Sequence, residues 1–205
     1  MNPRPSLFYL YARSRGLPGA ATALAVLLTA NTWIAGWVIH RPLFERTSGV
    51  PLFVLLPILT AAITVSSLHS PSAELDHCAP LPWWRWRATH ILTATIVSAC
   101  SLGLAAPNAA HGFGAQTAIR GVLGFTGLAC AGAVLLGARL SWAPPMVYGL
   151  GVLLAAPRTP GGAAAVWAWS MQPGAQPAAW ATAAVLFAGG VVLVTVRGPA
   201  RTRGR

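Results

Sequence analysis

The chain has 205 residues, of which 55% are hydrophobic and only 8% charged, and its formal net charge is +11 at pH 7. All its basic residues are arginines, and its three acids, Glu45, Glu74 and Asp76, lie outside the long apolar stretches. This composition predicts one polytopic transmembrane domain over residues 1–205, and it excludes from the spans an ion-coupling carboxylate or a pair of hydrolytic carboxylates.

The first predicted elements are a surface helix and two spans. In residues 1–16, apolar side chains at helical spacing precede arginines, which predicts a short interfacial helix at the cytoplasmic surface. The apolar stretches 17–39 and 50–69 predict the first two spans, and a short polar connection, 40–49, joins them.

Residues 70–87 are the most polar internal segment. They hold Glu74, Asp76, Arg85 and Arg87, together with three tryptophans. A cytoplasmic loop with charges of both signs and exposed aromatic residues is typical of a surface that binds another protein, so these four residues are the predicted docking residues. The alternative is a solvated loop whose tryptophans anchor it at the interface.

The third and fourth spans are predicted at about 88–106 and 118–140. The fourth contains Gly121, Gly124 and Gly127, whose spacing inside an apolar span predicts close helix packing and not a dinucleotide loop. The sequence contains no phosphate-binding GxxxxGK[ST] motif, so the chain is not expected to bind ATP itself.

The next apolar segments are too short to cross a membrane alone. Pro144 and Pro145 precede residues 146–156 and Pro157 follows, so this segment makes a fifth span only if residues 140–143 are included. A second short piece, 163–171, contains Trp167 and Trp169 and precedes the sixth span. This pattern predicts a re-entrant element at the outer leaflet, where the two tryptophans form an outer gate beside an exit path. Their i, i+2 spacing places them on different helix faces, so at most one faces that path.

The last span is predicted at about 177–196, followed by a basic tail, 197–205. With the N-terminus inside, four of the fourteen arginines lie on the outer side, namely Arg41, Arg46, Arg120 and Arg158, which leaves ten inside. This excess predicts six spans in a bacterial inner membrane with both termini cytoplasmic. Because flanking arginines orient a membrane protein, the positive charge predicts a lipid membrane and not nucleic acid as the partner.

The histidines and cysteines predict no cofactor or metal site. Most of the histidines lie at span ends without the helical spacing of haem ligands, and Asp76, His77 and Cys78 are adjacent residues that cannot easily point at one ion. A haem protein or another membrane enzyme is therefore a minor alternative.

The arrangement of these elements resembles the ABC-2 type permeases, the membrane subunits of bacterial ABC exporters. The stretch SAELDHCAPLPWWRWRATHIL resembles small actinobacterial members, in which an acid precedes Arg-x-Arg and a histidine, here Glu74, Arg85, Arg87 and His90. In that family the loop carries a coupling helix that contacts the ATPase. Prolines at 80 and 82 would confine such a helix to about 71–79 in this chain.

The resemblance implies an all-α permease with six transmembrane helices and no active site of its own. It further implies alternating access driven by a separate ABC ATPase subunit, with a second permease copy or a paired half-permease. The aliphatic spans suit lipids, peptides or hydrophobic antibiotics equally. The alternative prediction is a non-transport membrane protein: an assembly factor, an immunity protein or a sensor subunit.

Overall fold

The computed structural model describes residues 49–67, 83–105, 114–156 and 161–200, together with Thr22, Ala25, Val26 and Thr29, which are helical. This described part is all-helical, as the sequence predicts. Its α-helices are α1 (Gly49–Ser66), α2 (Trp83–Ala105), α3 (Ala115–Leu136), α4 (Ala143–Ala155), α5 (Ala164–Trp167) and α6 (Pro177–Arg197). Two 3-10 turns, Ala138–Leu140 and Trp169–Met171, lie between helices.

Glycines and prolines define several helix ends. Pro177 occupies the first turn of α6, where its missing N–H removes no helical hydrogen bond. Gly137 and Gly198 follow α3 and α6 with φ values of 89° and 73°, a left-handed backbone region that glycine enters without steric cost. Because Gly137 stops α3, this helix ends at Leu136 and not near the predicted residue 140.

α3 lies at the centre of the bundle, where it packs along α6, α1 and α2. α3 and α6 run parallel. Arg120, near the start of α3, donates to the carbonyl of Pro173 just before α6, and the amide of Ala200, just after α6, donates to the carbonyl of Ala133 at 2.8 Å. α2 runs antiparallel to α6, as shown by the position of Arg87, near the start of α2, beside Gly198 at the end of α6.

These contacts define two ends of the bundle. One holds Arg85, Arg87, Arg139 and Arg197 and is called the arginine-rich end. The opposite end holds Arg120 and the start of α3. The exposed charged side chains of the described residues are all near helix termini at the arginine-rich end, and the helix surfaces between the two ends carry none.

Side-chain polarity in the bundle is partly reversed from that of a water-soluble protein. Besides an apolar core, the interior holds buried polar side chains, among them Thr60, Thr64, Thr95, Ser98, Thr117, Arg120 and Thr126. Large apolar side chains point outward on the same helices, including Ile96, Leu104, Leu135, Val147, Leu154, Val185 and Val196. Leu104 and Leu154 are 88% and 89% exposed. Many polar side chains of the described residues thus lie inside, and much of their outer surface is hydrocarbon.

Two of the described helices, α3 and α6, are long and apolar enough to cross a membrane. α4 has 13 residues and is about 20 Å long, shorter than the roughly 30 Å hydrocarbon layer. α2 has 23 residues, but arginines, threonines and serines make it less apolar. The described residues therefore give two candidate spans and not six. Residues 1–16 and, apart from four helical residues, the predicted span 17–39 lie outside them.

Candidate functional site

Two of the four predicted docking residues, Arg85 and Arg87, lie in the first turns of α2. This helix starts at Trp83, directly after Pro82, so the last five residues of the predicted 70–87 loop are helical. Arg85 is exposed, and its guanidinium carbon lies 5.2 Å from the centroid of the Trp84 ring. Glu74 and Asp76 lie outside the described residues.

Arg87 is half-buried against the chain that leaves α6. Its Nη1 atom lies 2.8 Å from the position that a Cβ atom would take on Gly198. Gly198 therefore allows the end of α6 to pass close to the guanidinium group. The sequence did not predict the contact between Arg87 and Gly198. It does predict the helix end there, because a glycine directly after a terminal arginine is a helix-end signal.

His90 lies one turn after Arg87 and joins α2 to α1. Its Nε2 atom is 2.8 Å from Ser67 Oγ. The Ser67 hydroxyl donates its only proton to the Thr64 carbonyl at 2.6 Å, so the imidazole N–H is the donor in the contact between the two side chains. The first turns of α2 thus contact the ends of both α1 and α6.

The predicted packing glycines line the contact between α3 and its neighbours. A Cβ atom on Gly127 would overlap the backbone of Leu186 in α6, and one on Gly190 would overlap the backbone of Gly127. A Cβ atom on Gly124 would overlap the Trp169 ring, and Gly121 is buried on the same helix. The α3 and α6 backbones consequently touch with no side chain between them.

Residues 161–176 lie between α4 and α6 and contain α5; they are called here the outer segment, because the sequence predicts them at the outer leaflet. Trp169 is 1% exposed and inserts between α3 and α4. Its ring stacks on Tyr148 at 5.7 Å and tilts against Phe125 at 5.0 Å. Trp167 is 42% exposed, and its carbonyl accepts a hydrogen bond from the Tyr148 hydroxyl at 2.7 Å. The two tryptophans differ in burial, and their assignment to an outer gate stays a prediction.

Arg120 fastens the outer segment to α3. Its side chain is fully buried, with Nη1 donating to the Pro173 carbonyl at 2.8 Å and Nη2 donating to the Gln172 carbonyl. The Gln172 side chain in turn accepts from the Gly161 amide at 2.9 Å. Sequence reasoning treated Arg120 only as an outer surface charge. The signal it missed is that an arginine inside an apolar stretch is costly unless it has a specific role.

No family model, curated protein or solved structure matches this chain. Among the described residues, no group of three or more histidine, cysteine or acidic side chains comes together, and Cys100 and Cys130 are free thiols. The described ranges contain no acid, because Glu45, Glu74 and Asp76 all fall outside them. The charged side chains of the described residues are therefore all arginines.

Proposed function

We propose that the chain is the membrane-spanning permease subunit of an ATP-driven exporter of the ABC-2 type. In this proposal it lies in a bacterial cytoplasmic membrane with six spans and both termini inside. A separate ABC ATPase supplies the energy, and a second permease copy or a paired half-permease completes the translocation path. The cargo is a hydrophobic or amphipathic molecule.

The observation that carries the membrane part of the proposal is the distribution of polarity. Several threonine and serine side chains and that of Arg120 are buried between helices, while leucine, isoleucine and valine side chains are exposed on the outside. Among the described residues, exposed charges are confined to the arginine-rich end. In water such a surface would associate, whereas lipid solvates it and leaves inward-facing polar groups to bond within the protein. An excess of arginine at one end is the pattern of a cytoplasmic face.

The coupling part rests on the resemblance and on the position of α2. Arg85 and Arg87 stand on its first turns, where an ATPase that binds the 70–87 segment would push or pull. Movement of α2 would pass to α1 through His90 and Ser67, and to α6 through Arg87 and Gly198. α3 and α6 would move together because their backbones touch. Movement of this unit relative to the outer segment would open the outer side.

Affinity purification tests the function directly. The full chain, tagged at its C-terminus, is expressed in its native host and purified in mild detergent. The proposal expects the ATPase to co-purify and its ATP hydrolysis to rise in the complex. A chain that purifies without an ATPase under conditions that preserve other ABC complexes would contradict the proposal and favour the assembly, immunity or sensor alternative.

A further inference from the structure

Two buried polar groups on α3, at the end of the bundle opposite the arginine-rich end, have no hydrogen-bond partner among the described residues. They are Nε of Arg120 and Oγ1 of Thr117. Both residues are nearly inaccessible to solvent. Their i, i+3 spacing places them on the same face of α3, with Cβ atoms about 5–6 Å apart. Buried donors are normally paired in proteins, so two on one face of a helix indicate a missing acceptor.

The charge balance points the same way. The guanidinium of Arg120 donates to the carbonyls of Gln172 and Pro173, which orient it but carry no net charge. No carboxylate occurs in the described ranges to neutralise it. A buried cation is stable only when an anion or a dense set of hydrogen bonds compensates for lost hydration. Two carbonyls leave three of the five guanidinium protons, including Nε–H, for another acceptor.

We propose that Arg120 and Thr117 bind an oxyanion, a phosphate or carboxylate group, at the start of α3. An oxyanion accepts several hydrogen bonds at once, and a guanidinium fork matches its geometry. The Thr117 hydroxyl adds a donor, and both residues lie within the first two turns of α3, where the helix dipole favours negative charge. The site needs neither an ATPase nor transport, so it goes beyond the proposed function.

The position of the site defines two sources for the oxyanion. Arg120 is five residues past the start of α3, so its Cα lies about 8 Å along the helix axis from that start. In a membrane this is the level of the outer headgroups, where a phospholipid phosphate can reach. A free anion from the aqueous side can reach the same level past the outer segment, where Ala175 is exposed.

Thermal unfolding of the purified full chain in neutral detergent distinguishes these sources. The chain is titrated with phosphatidylglycerol, with phosphatidylcholine, and with sodium phosphate against sodium chloride at equal ionic strength. We expect phosphatidylglycerol or phosphate to raise the Tm with a saturable dependence on concentration, phosphatidylcholine to raise it less because its choline cation neutralises its phosphate, and chloride not to raise it. A response to phosphatidylglycerol and not to phosphate assigns the site to a lipid headgroup, whereas a response to phosphate assigns it to a free anion.

The variants locate the effect. Arg120→Gln is expected to raise the anion concentration at half-saturation about 10- to 100-fold, the equivalent of losing a charge-assisted hydrogen bond. Thr117→Val keeps the side-chain volume and is expected to raise this concentration about 2- to 10-fold. It keeps the test valid if Arg120→Gln does not fold. Arg139→Gln is the matched control, because it removes an exposed arginine at the other end and should leave the response unchanged.

Three results would overturn the proposal. One is the absence of stabilisation by either anion, and another is a response that survives in both Arg120→Gln and Thr117→Val. The third concerns Glu45, the one acid predicted on the outer side. If Glu45→Gln destabilises the chain as much as Arg120→Gln does, and added anion restores neither, then the chain supplies its own counterion.

Discussion

At the residue scale, some helix contacts in this chain depend on single glycines, which have no side chain to hold the backbones apart. Gly127 in α3 lies against the α6 backbone, whereas Gly189 in α6 has open space where a Cβ atom would stand. The two glycines are both helical, so the same substitution has opposite consequences at them.

We predict that Gly127→Ala destabilises the protein by about 1–3 kcal/mol, because the added methyl group forces α3 and α6 apart. Gly189→Ala should instead be neutral or stabilise by up to about 1 kcal/mol, since alanine is the better helix former. Thermal unfolding in detergent measures both. Equal effects of the two variants would show that α3 and α6 do not touch at Gly127.

The two tryptophans of the outer segment give a second residue-scale contrast. Trp169 packs against Gly124, Phe125 and Tyr148, and its removal leaves a cavity. We predict that Trp169→Ala costs about 3–5 kcal/mol of stability. Trp167→Ala should cost under about 1 kcal/mol, and if the gate assignment is right it should change export instead. A larger stability loss for Trp167→Ala would reverse the burial assigned to the pair.

At the element scale, the outer segment is expected to show a pattern of accessible and inaccessible positions. In a chain lacking Cys78, Cys100 and Cys130, single cysteines report this pattern with a membrane-impermeant thiol reagent. Ala163→Cys and Ala175→Cys should label because both positions are exposed. Cysteines at the buried positions Ala164, Ala165 and Ala168 should not. Uniform labelling of all five would describe an open loop and contradict the packed segment.

The start of α2 supports a prediction about docking. Arg85→Ala and Glu74→Ala should weaken ATPase binding about two- to five-fold without lowering stability, the scale of a surface charge contact. Arg87→Ala should do the same and in addition lower the Tm, because Arg87 contacts the chain at Gly198. Arg139→Ala, another arginine at this end, is the control. Unchanged ATPase binding and hydrolysis in all three variants would remove the docking assignment.

Local sequence signals predicted much of the element order. Apolar stretches and the glycines and prolines around them place α3, α4 and α6 within a few residues of the structure, because helix ends depend on local backbone preference. The clamp between Arg120 and the carbonyls of Gln172 and Pro173 was not predictable. It joins residues more than fifty positions apart, and an arginine flanking a span has the same local pattern whether it faces water or the interior.

At the scale of the whole molecule, the number of spans predicted from composition exceeds the number of described helices that qualify as spans. The apolar stretches predict six spans, while α3 and α6 are the described helices that meet the length and composition of a span. α4 is too short, and α2 contains arginines, threonines and serines, of which Thr95 and Ser98 are buried, although both helices expose apolar side chains outward. An average over the sequence of a helix does not distinguish its lipid-facing side from its inward-facing side.

The measurement that tests the membrane assignment most directly is a set of topology reporters on the full chain. Fusions at residue 205 and after Trp142 should be active as cytoplasmic reporters, and a fusion near residue 110 should be active on the outer side. The chain should also remain in the membrane fraction after alkaline washing. A reporter at residue 205 that is active only outside the cytoplasm, or a chain found in the soluble fraction, would contradict the six-span permease with both termini inside.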